Sequence, residues 1–245
     1  MRNAIIIGAS SGIGRALAKV VASHGYNVGL AARRVDLLHA VANEINTTAF
    51  VKAIDVSKPA EAMQSLRDLI AEMQDVELFV ISAGTGFSNP PLAWKPEQET
   101  IAVNVSGFAA MANVAVSHLE ARRSGCLVGI SSIAALVANP HAPAYDASKA
   151  FMSNYLHALR YRFAGLRLPV VVVDVQPGFV DTAMAKADQK FWMATPEKAA
   201  TQIFAAVRKR KKHVYVTRRW RLVAWLLKAT PDWLTTYVVG RKPSS

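Results

Sequence analysis

Short apolar runs alternate along this chain with longer stretches whose apolar positions recur at helical spacing. Residues 3–7, 27–32, 49–54, 77–81, 126–130, 168–175 and 213–217 are rich in Val, Ile and Ala, the pattern of strands buried on both faces. Residues 15–22, 60–73, 97–119, 145–163 and a segment opened by Pro196 carry the helical period, the last running into Arg208-Lys209-Arg210-Lys211-Lys212. His24-Gly25 stops the first helix, Pro59 opens the second, and Pro90, Pro91 and Pro96 make 89–96 a loop. Strand and helix alternating at these lengths predict an α/β fold, a doubly wound parallel sheet of about seven strands with helices on both faces. Ligands in such sheets bind beyond the carboxyl ends of the strands.

At 245 residues the chain is long enough for a sizeable core, and 52% hydrophobic with 19% charged residues suits much buried strand. Cys126 is the only cysteine, which excludes an internal disulfide and a cysteine-built metal site and points to a reducing, cytoplasmic setting. None of the six histidines, at 24, 39, 118, 141, 157 and 213, has a partner at useful metal-ligand spacing, so no metal is expected. The first strand begins almost at once, leaving no room for a signal sequence, and the longest apolar run near the C-terminus, 222–227, is six residues. Spanning a bilayer takes about 20, so a soluble or peripheral protein is expected.

Gly8-Ala9-Ser10-Ser11-Gly12-Ile13-Gly14 lies between a strand and a helix. Glycines there let backbone approach a pyrophosphate, and the helix N-terminus offers unpaired N–H groups and a positive dipole end. Its Gly-x-x-x-Gly-x-Gly spacing differs from the general Gly-x-Gly-x-x-Gly, and an ordinary glycine-rich turn is the bland alternative. At the end of the second strand, where an acid would bond a ribose 2′-hydroxyl, stand Ala32, Arg33 and Arg34. A guanidinium binds a 2′-phosphate bidentately and a carboxylate repels one, which argues for NADP(H) over NAD(H). The alternative is two solvated arginines, although cations at a helix start oppose its dipole.

Tyr145 and Lys149 are one helical turn apart and share a face. A tyrosine titrates near pH 10, and an ammonium beside it favours the phenolate enough to permit proton transfer near neutrality. Taken alone, Tyr-x-x-x-Lys also suits a solvated helix face. Ser132 ends the fifth strand thirteen residues earlier, a position where a serine is more commonly a cap. Asn104 and Gly107 interrupt an apolar helix at a cost in stability, so Asn104 should be aimed at a partner. After the fourth strand, Ser82-Ala83-Gly84-Thr85-Gly86 are small enough for a flat ring to lie against backbone.

These motifs, with Asp55-Val56 and Pro177-Gly178, run in the order and spacing of one family over about residues 3–216. The chain resembles the short-chain dehydrogenase/reductases, proteins of Rossmann-type fold. By that resemblance Ser132, Tyr145 and Lys149 form a catalytic triad and Asn104 is its fourth member. The implied reaction moves a hydride between the nicotinamide of NADP(H) and a carbonyl or secondary alcohol. Tyr145 gives the proton, Ser132 donates to the same oxygen, and Lys149 lowers the tyrosine pKa and holds the nicotinamide ribose. Asn104 keeps the helix and a water in place for proton return. The resemblance gives the pyrophosphate to Gly8, Ser10, Ser11, Gly12, Ile13 and Gly14, with Arg33 and Arg34 on the 2′-phosphate. Asp55, Val56, Ser82, Ala83 and Gly84 support the cofactor, Ser82 standing where the family usually has asparagine. Pro177, Gly178, Val180 and Thr182 meet its nicotinamide end, and 183–194 is the substrate loop, whose Met184, Phe191, Trp192 and Met193 are either lid or local core. The family associates into dimers or tetramers through its two long helices, here 97–119 and 145–163. A 3-oxoacyl-[acyl-carrier-protein] reductase and a non-catalytic NADP-sensing regulator are the alternatives.

The charge redraws the chain's organisation. The net +12 is concentrated from Arg208 onward, where eleven Lys/Arg face one acid, Asp232; that +10 leaves 1–207 with only +2. Residues 1–217 are therefore the family core and 218–245 a basic, aromatic extension. Its cations flanking Trp220, Leu222, Trp225 and Leu226 suit an interfacial membrane segment over 208–228. Packing on the core or a subunit contact, and charge complementing a helix end, are the alternatives. No nucleic-acid motif accompanies the charge.

Overall fold

The structure is a computed structural model and describes residues 2–181, 193–217 and 219–229, the last with side chains as far as Leu226. The seven expected strands are present as β1 (Arg2–Ile7), β2 (Tyr26–Ala32), β3 (Ala49–Ala53), β4 (Val76–Ile81), β5 (Gly125–Ile130), β6 (Val170–Pro177) and β7 (His213–Val216). They form one sheet in the order β3-β2-β1-β4-β5-β6-β7, every neighbouring pair parallel. The chain runs outward from β1 through β2 to β3, then returns to lay β4 on the other side of β1. That reversal opens a crevice at the carboxyl ends of β1 and β4.

The strands read as unbroken apolar runs because both sheet faces are covered. Alternate residues of β1 enter different cores: Ile6 packs with Leu17, Val21, Leu38 and Phe204, whereas Ile5 and Ile7 pack with Leu66, Phe108, Met111 and Leu156. The first layer comprises α1 (Gly12–Ser23), α2 (Val35–Asn43) and α7 (Pro196–Arg208). The second comprises α3 (Pro59–Met73), α5 (Phe108–Arg122) and α6 (Pro143–Gly165). A last helix, α8 (Trp220–Ala229), follows β7.

Two helices differ from expectation. The helix expected at 97–119 is α4 (Trp94–Ile101), a π-helical segment (Ala102–Gly107) and α5. Pro96 falls in the first turn, where its missing N–H costs nothing. The π segment carries Asn104 and brings Gly107 so close to β3's outgoing chain that a Cβ would lie 2.5 Å from the Val56 carbonyl oxygen. By length and composition, Trp94–Arg122 is apolar enough to cross a membrane, yet Phe108, Met111 and Leu119 are fully buried in the core. Helix α7 stops at Arg208, the first residue of the basic run, in a Schellman motif: the Lys211 N–H donates to the Ala206 carbonyl and the Arg210 N–H to that of Val207. Arg210 takes the left-handed position (φ 51°) and its guanidinium donates to the Pro169 carbonyl, so one cation of the run closes the turn into β7.

Candidate active site

The glycine loop is shaped by close backbone packing. Gly8 (φ 92°) leaves β1 so near the end of β4 that a Cβ would lie 2.5 Å from the Ala83 nitrogen. A Cβ on Gly14 would lie 2.1 Å from the Gly8 carbonyl oxygen. The N–H groups of Ser82 and Ala83 both donate to the Ile7 carbonyl, at 2.8 and 2.9 Å, locking the two strand ends together. Ser11 stands before α1 in extended backbone without capping it, which leaves the first-turn N–H groups facing the crevice mouth. Ile13 packs inward against the core.

Arg33 and Arg34 are both exposed and diverge. Arg34 reaches back over the glycine loop and donates to Ser10 Oγ (3.2 Å) and Ser11 Oγ (3.0 Å). Arg33 instead lines a cavity of about 300 Å³ with Asp55, Lys58 and Glu61. The Asp55 carboxylate accepts from the N–H (3.0 Å) and hydroxyl (2.7 Å) of Ser57, turning the chain out of β3.

Beyond β4, three side chains close on the loop 82–86. Asn104, fully buried, accepts from the Thr85 N–H (2.9 Å), donates to the Thr85 carbonyl (2.7 Å), and donates to Ser148 Oγ of α6 (2.9 Å). A Cβ on Gly84 would touch both Asn104 Oδ1 and Lys149 Nζ, each at 3.3 Å. One on Gly86 would sit 2.3 Å from the Tyr145 ring. The Tyr145 ring lies against this stretch at Gly86.

Tyr145 lies in the first turn of α6, anchored where Glu97 of α4 accepts the Ala144 N–H at 3.1 Å. Ser132 does two jobs. Its Oγ accepts the Ala134 N–H (3.1 Å), capping the 3-10 turn Ile133–Leu136, and its hydroxyl acts to lower the Tyr145 pKa. Lys149 is buried, donates to the Ile130 carbonyl (3.2 Å), and lies 5.7 Å from the Tyr145 ring centroid.

Burial dominates the electrostatics of the pair. Burial raises the Tyr145 pKa above its ordinary value, opposed by the Ser132 hydroxyl and assisted by the Asp146 charge. Lys149, its ammonium donating to the Ile130 carbonyl, is itself desolvated, its pKa pulled down to about 8. The Asp174 charge opposes that fall. Asp146, beside the tyrosine, is pushed up to about 6 by burial, while its bond from the Asn139 N–H (2.7 Å) works the other way.

At the end of β6, the Gly178 N–H donates to the Val216 carbonyl (2.6 Å), and a Cβ on Gly178 would lie 2.1 Å from the Trp220 indole. Phe179 meets the same indole edge-on at 5.5 Å. Val180 is buried and bridges to Ala194. Thr182 and most of the expected substrate loop, with Met184, Phe191 and Trp192, lie outside the described residues.

Sequence reasoning passed over Asp174. This carboxylate, fully buried on β6, accepts from Ser131 Oγ (2.5 Å), Ser153 Oγ (2.6 Å) and Gln176 Nε2 (3.3 Å). His213 stands 3.6 Å away. The signal was available: a lone acid inside a valine-rich strand needs a reason to be there.

The family model for short chain dehydrogenases matches residues 2–191. An uncharacterized oxidoreductase of Myxococcus xanthus (strain DK1622) is 35% identical over 188 residues, 75% of this chain and 74% of the relative. Inactive hydroxysteroid dehydrogenase-like protein 1 of Rattus norvegicus is 30% identical over 171 residues, 66% of this chain and 52% of the relative. A short chain dehydrogenase/reductase from Burkholderia phymatum, solved in complex with NAD, superposes with a TM-score of 0.84 at 19% identity, over 100% of this chain and 96% of that one. A short-chain dehydrogenase from Sphingobium yanoikuyae, solved in complex with NADPH, gives 0.80 at 18% identity, over 100% and 98%.

Proposed function

We propose that this chain, which belongs to the short-chain dehydrogenase family, is an NADP(H)-dependent oxidoreductase that interconverts a carbonyl and a secondary alcohol on an apolar substrate. The observation carrying this reading is the convergence of Ser132, Tyr145, Lys149 and Asn104 around the loop 82–86, at the carboxyl ends of β4 and β5. The residues present fit a dinucleotide. A side chain at Gly8 or Gly14 would fill the backbone cradle, the α1 N-terminus suits a pyrophosphate, and Arg34 suits a 2′-phosphate. A bound nicotinamide would supply or accept the hydride.

The chain's own groups handle the proton. In the reductive direction negative charge grows on the carbonyl oxygen. Tyr145, kept protonated by burial, donates to it, and Ser132 supplies a second hydrogen bond to the same oxygen. Lys149 carries the neighbouring positive charge, and Asn104 fixes the wall of the cleft by holding Thr85. The reading includes a cytoplasmic homodimer or homotetramer assembled through the two long helices, whose Ile101 and Tyr161 are exposed.

The test is NADPH oxidation with aldehydes and ketones of rising chain length, beside Tyr145→Phe. Wild type should reduce at least one, and the variant should lose about a hundredfold or more of the rate. Equal rates would overturn the assignment. The relative named inactive supports a second reading, a cofactor-sensing protein. NADPH binding by calorimetry with no turnover of any carbonyl would select it.

A further inference from the structure

Helix α8 has one face in the fold and one outside it. Trp220 and Ala224 are buried, the helix packing on β7 and on the turn Ile133–Leu136 that follows Ser132. On the opposite side Leu222, Trp225 and Leu226 are 73%, 69% and 58% exposed. Their i, i+3, i+4 spacing makes them one apolar stripe. Arg219 and Arg221 flank it and are exposed. Counting Arg208–Lys212 before β7, the stretch 208–229 carries nine cations and no acid.

The charge decides what such a stripe meets. A second copy would bring the cations of one 208–229 stretch against those of the other, and the stretch has no acid of its own. An anionic lipid surface satisfies both features, with headgroups taking the arginines and the acyl boundary taking tryptophan and leucine. We propose that this protein docks on anionic lipid through the Leu222–Trp225–Leu226 face of α8, with its cleft opening beside that surface. The inner side of α8 supports the second half. Trp220 covers Gly178 at the end of β6, Phe179 (39% exposed) lies against the indole, and Val137 (39% exposed) ends the turn on which α8 packs. An apolar rim therefore joins the membrane-facing helix to the cleft, and the substrate class is a carbonyl compound dissolved in lipid. That last clause rests on the oxidoreductase reading; the docking does not.

The experiment is flotation of the full chain with phosphatidylcholine vesicles, with and without phosphatidylserine. Wild type should float with the anionic vesicles at low salt and stay behind with the neutral ones. Each arginine near such a surface contributes about fivefold, so Arg221→Gln should weaken binding by that factor. The Leu222→Ser/Trp225→Ser/Leu226→Ser variant should lose flotation with its melting temperature unchanged. Failure of wild type to float, or flotation of the triple-serine variant, overturns the proposal. So does a stripe-dependent dimer in sedimentation, or stripe-dependent retention on an acidic carrier protein, when neither is accompanied by vesicle binding. For the substrate, a long-chain ketone presented in anionic vesicles should be reduced faster than the same ketone in detergent, an advantage the triple variant loses while keeping turnover of a short soluble ketone. Flotation without turnover of any carbonyl leaves docking standing and removes the oxidoreductase reading.

Discussion

Asn104 holds both backbone groups of Thr85, accepting its N–H at 2.9 Å and donating to its carbonyl at 2.7 Å. A side-chain amide is suited to this because it carries an acceptor and donors side by side. The same nitrogen reaches Ser148, so the β4 loop, the π segment and α6 meet in one buried group. Asn104→Ala removes all three bonds. At about 1 kcal/mol net per bond it should destabilise the fold by about 2–3 kcal/mol, read as a lower urea midpoint with unchanged slope. Asn104→Asp keeps the acceptor for the Thr85 N–H but sets a carboxylate against its carbonyl. It should retain less activity than its stability loss explains.

Lys149 makes stability depend on pH with a defined sign. Its pKa in the fold is lowered to about 8 by burial, against about 10.4 for an ordinary lysine. Below about pH 8 folded and unfolded chains both carry the proton, and the cost of burying the charge is fully present. Between the two values the unfolded chain binds more protons, so this residue's contribution to stability rises with pH across that window. Denaturant melts from pH 7 to 10 should show the rise in wild type and its loss in Lys149→Met. In the same range kcat/KM for carbonyl reduction, which reports the free enzyme, should fall as the ammonium is lost.

The sheet was legible because its strands are covered on both faces and so appear as continuous apolar runs. Ile5, Ile6 and Ile7 entering alternate cores is what such a run means. The site's main residues were legible because ordered motifs mark them. The π segment was not, since Ala102–Gly107 has nothing in its sequence to separate one helical hydrogen-bond register from another. Arg210 hid the end of α7, occupying a left-handed position where glycine is the usual marker. The proximity of Tyr145 to Lys149 was legible from their spacing, but the burial that raises one pKa and lowers the other was not. That burial, like the Lys149 bond to the Ile130 carbonyl, is a tertiary fact.

Cofactor choice is testable at the two arginines. Arg34 already bridges the hydroxyls of Ser10 and Ser11, beside the loop that would hold a pyrophosphate. Hydrogen bonds to a charged group contribute about 1.5–3 kcal/mol, so Arg33→Ala/Arg34→Ala should cut the NADPH-to-NADH ratio of kcat/KM by about tenfold or more. Both side chains are exposed, and the melting temperature should hold. A wild type equally active with NADH contradicts the NADP(H) assignment.

Asp174 couples the outer side of α6 to the cleft. It fixes Ser131, the neighbour of Ser132, and its charge raises the pKa of Lys149 against the larger effect of burial. Asp174→Asn keeps the volume but halves the acceptors, setting donors of Ser131, Ser153 and Gln176 against an amide. An orphaned buried donor costs about 1–3 kcal/mol, and a loss of that size should appear in denaturant melts. A purely structural role ends there. The electrostatic role adds a second effect: without the carboxylate, Lys149 gives up its proton at lower pH. The alkaline limb of kcat/KM should then move to lower pH in Asp174→Asn and stay in place in Ser153→Ala, which loses a bond to the carboxylate but keeps its charge. Coincident limbs in all three proteins would confine Asp174 to holding β5, β6 and α6 together.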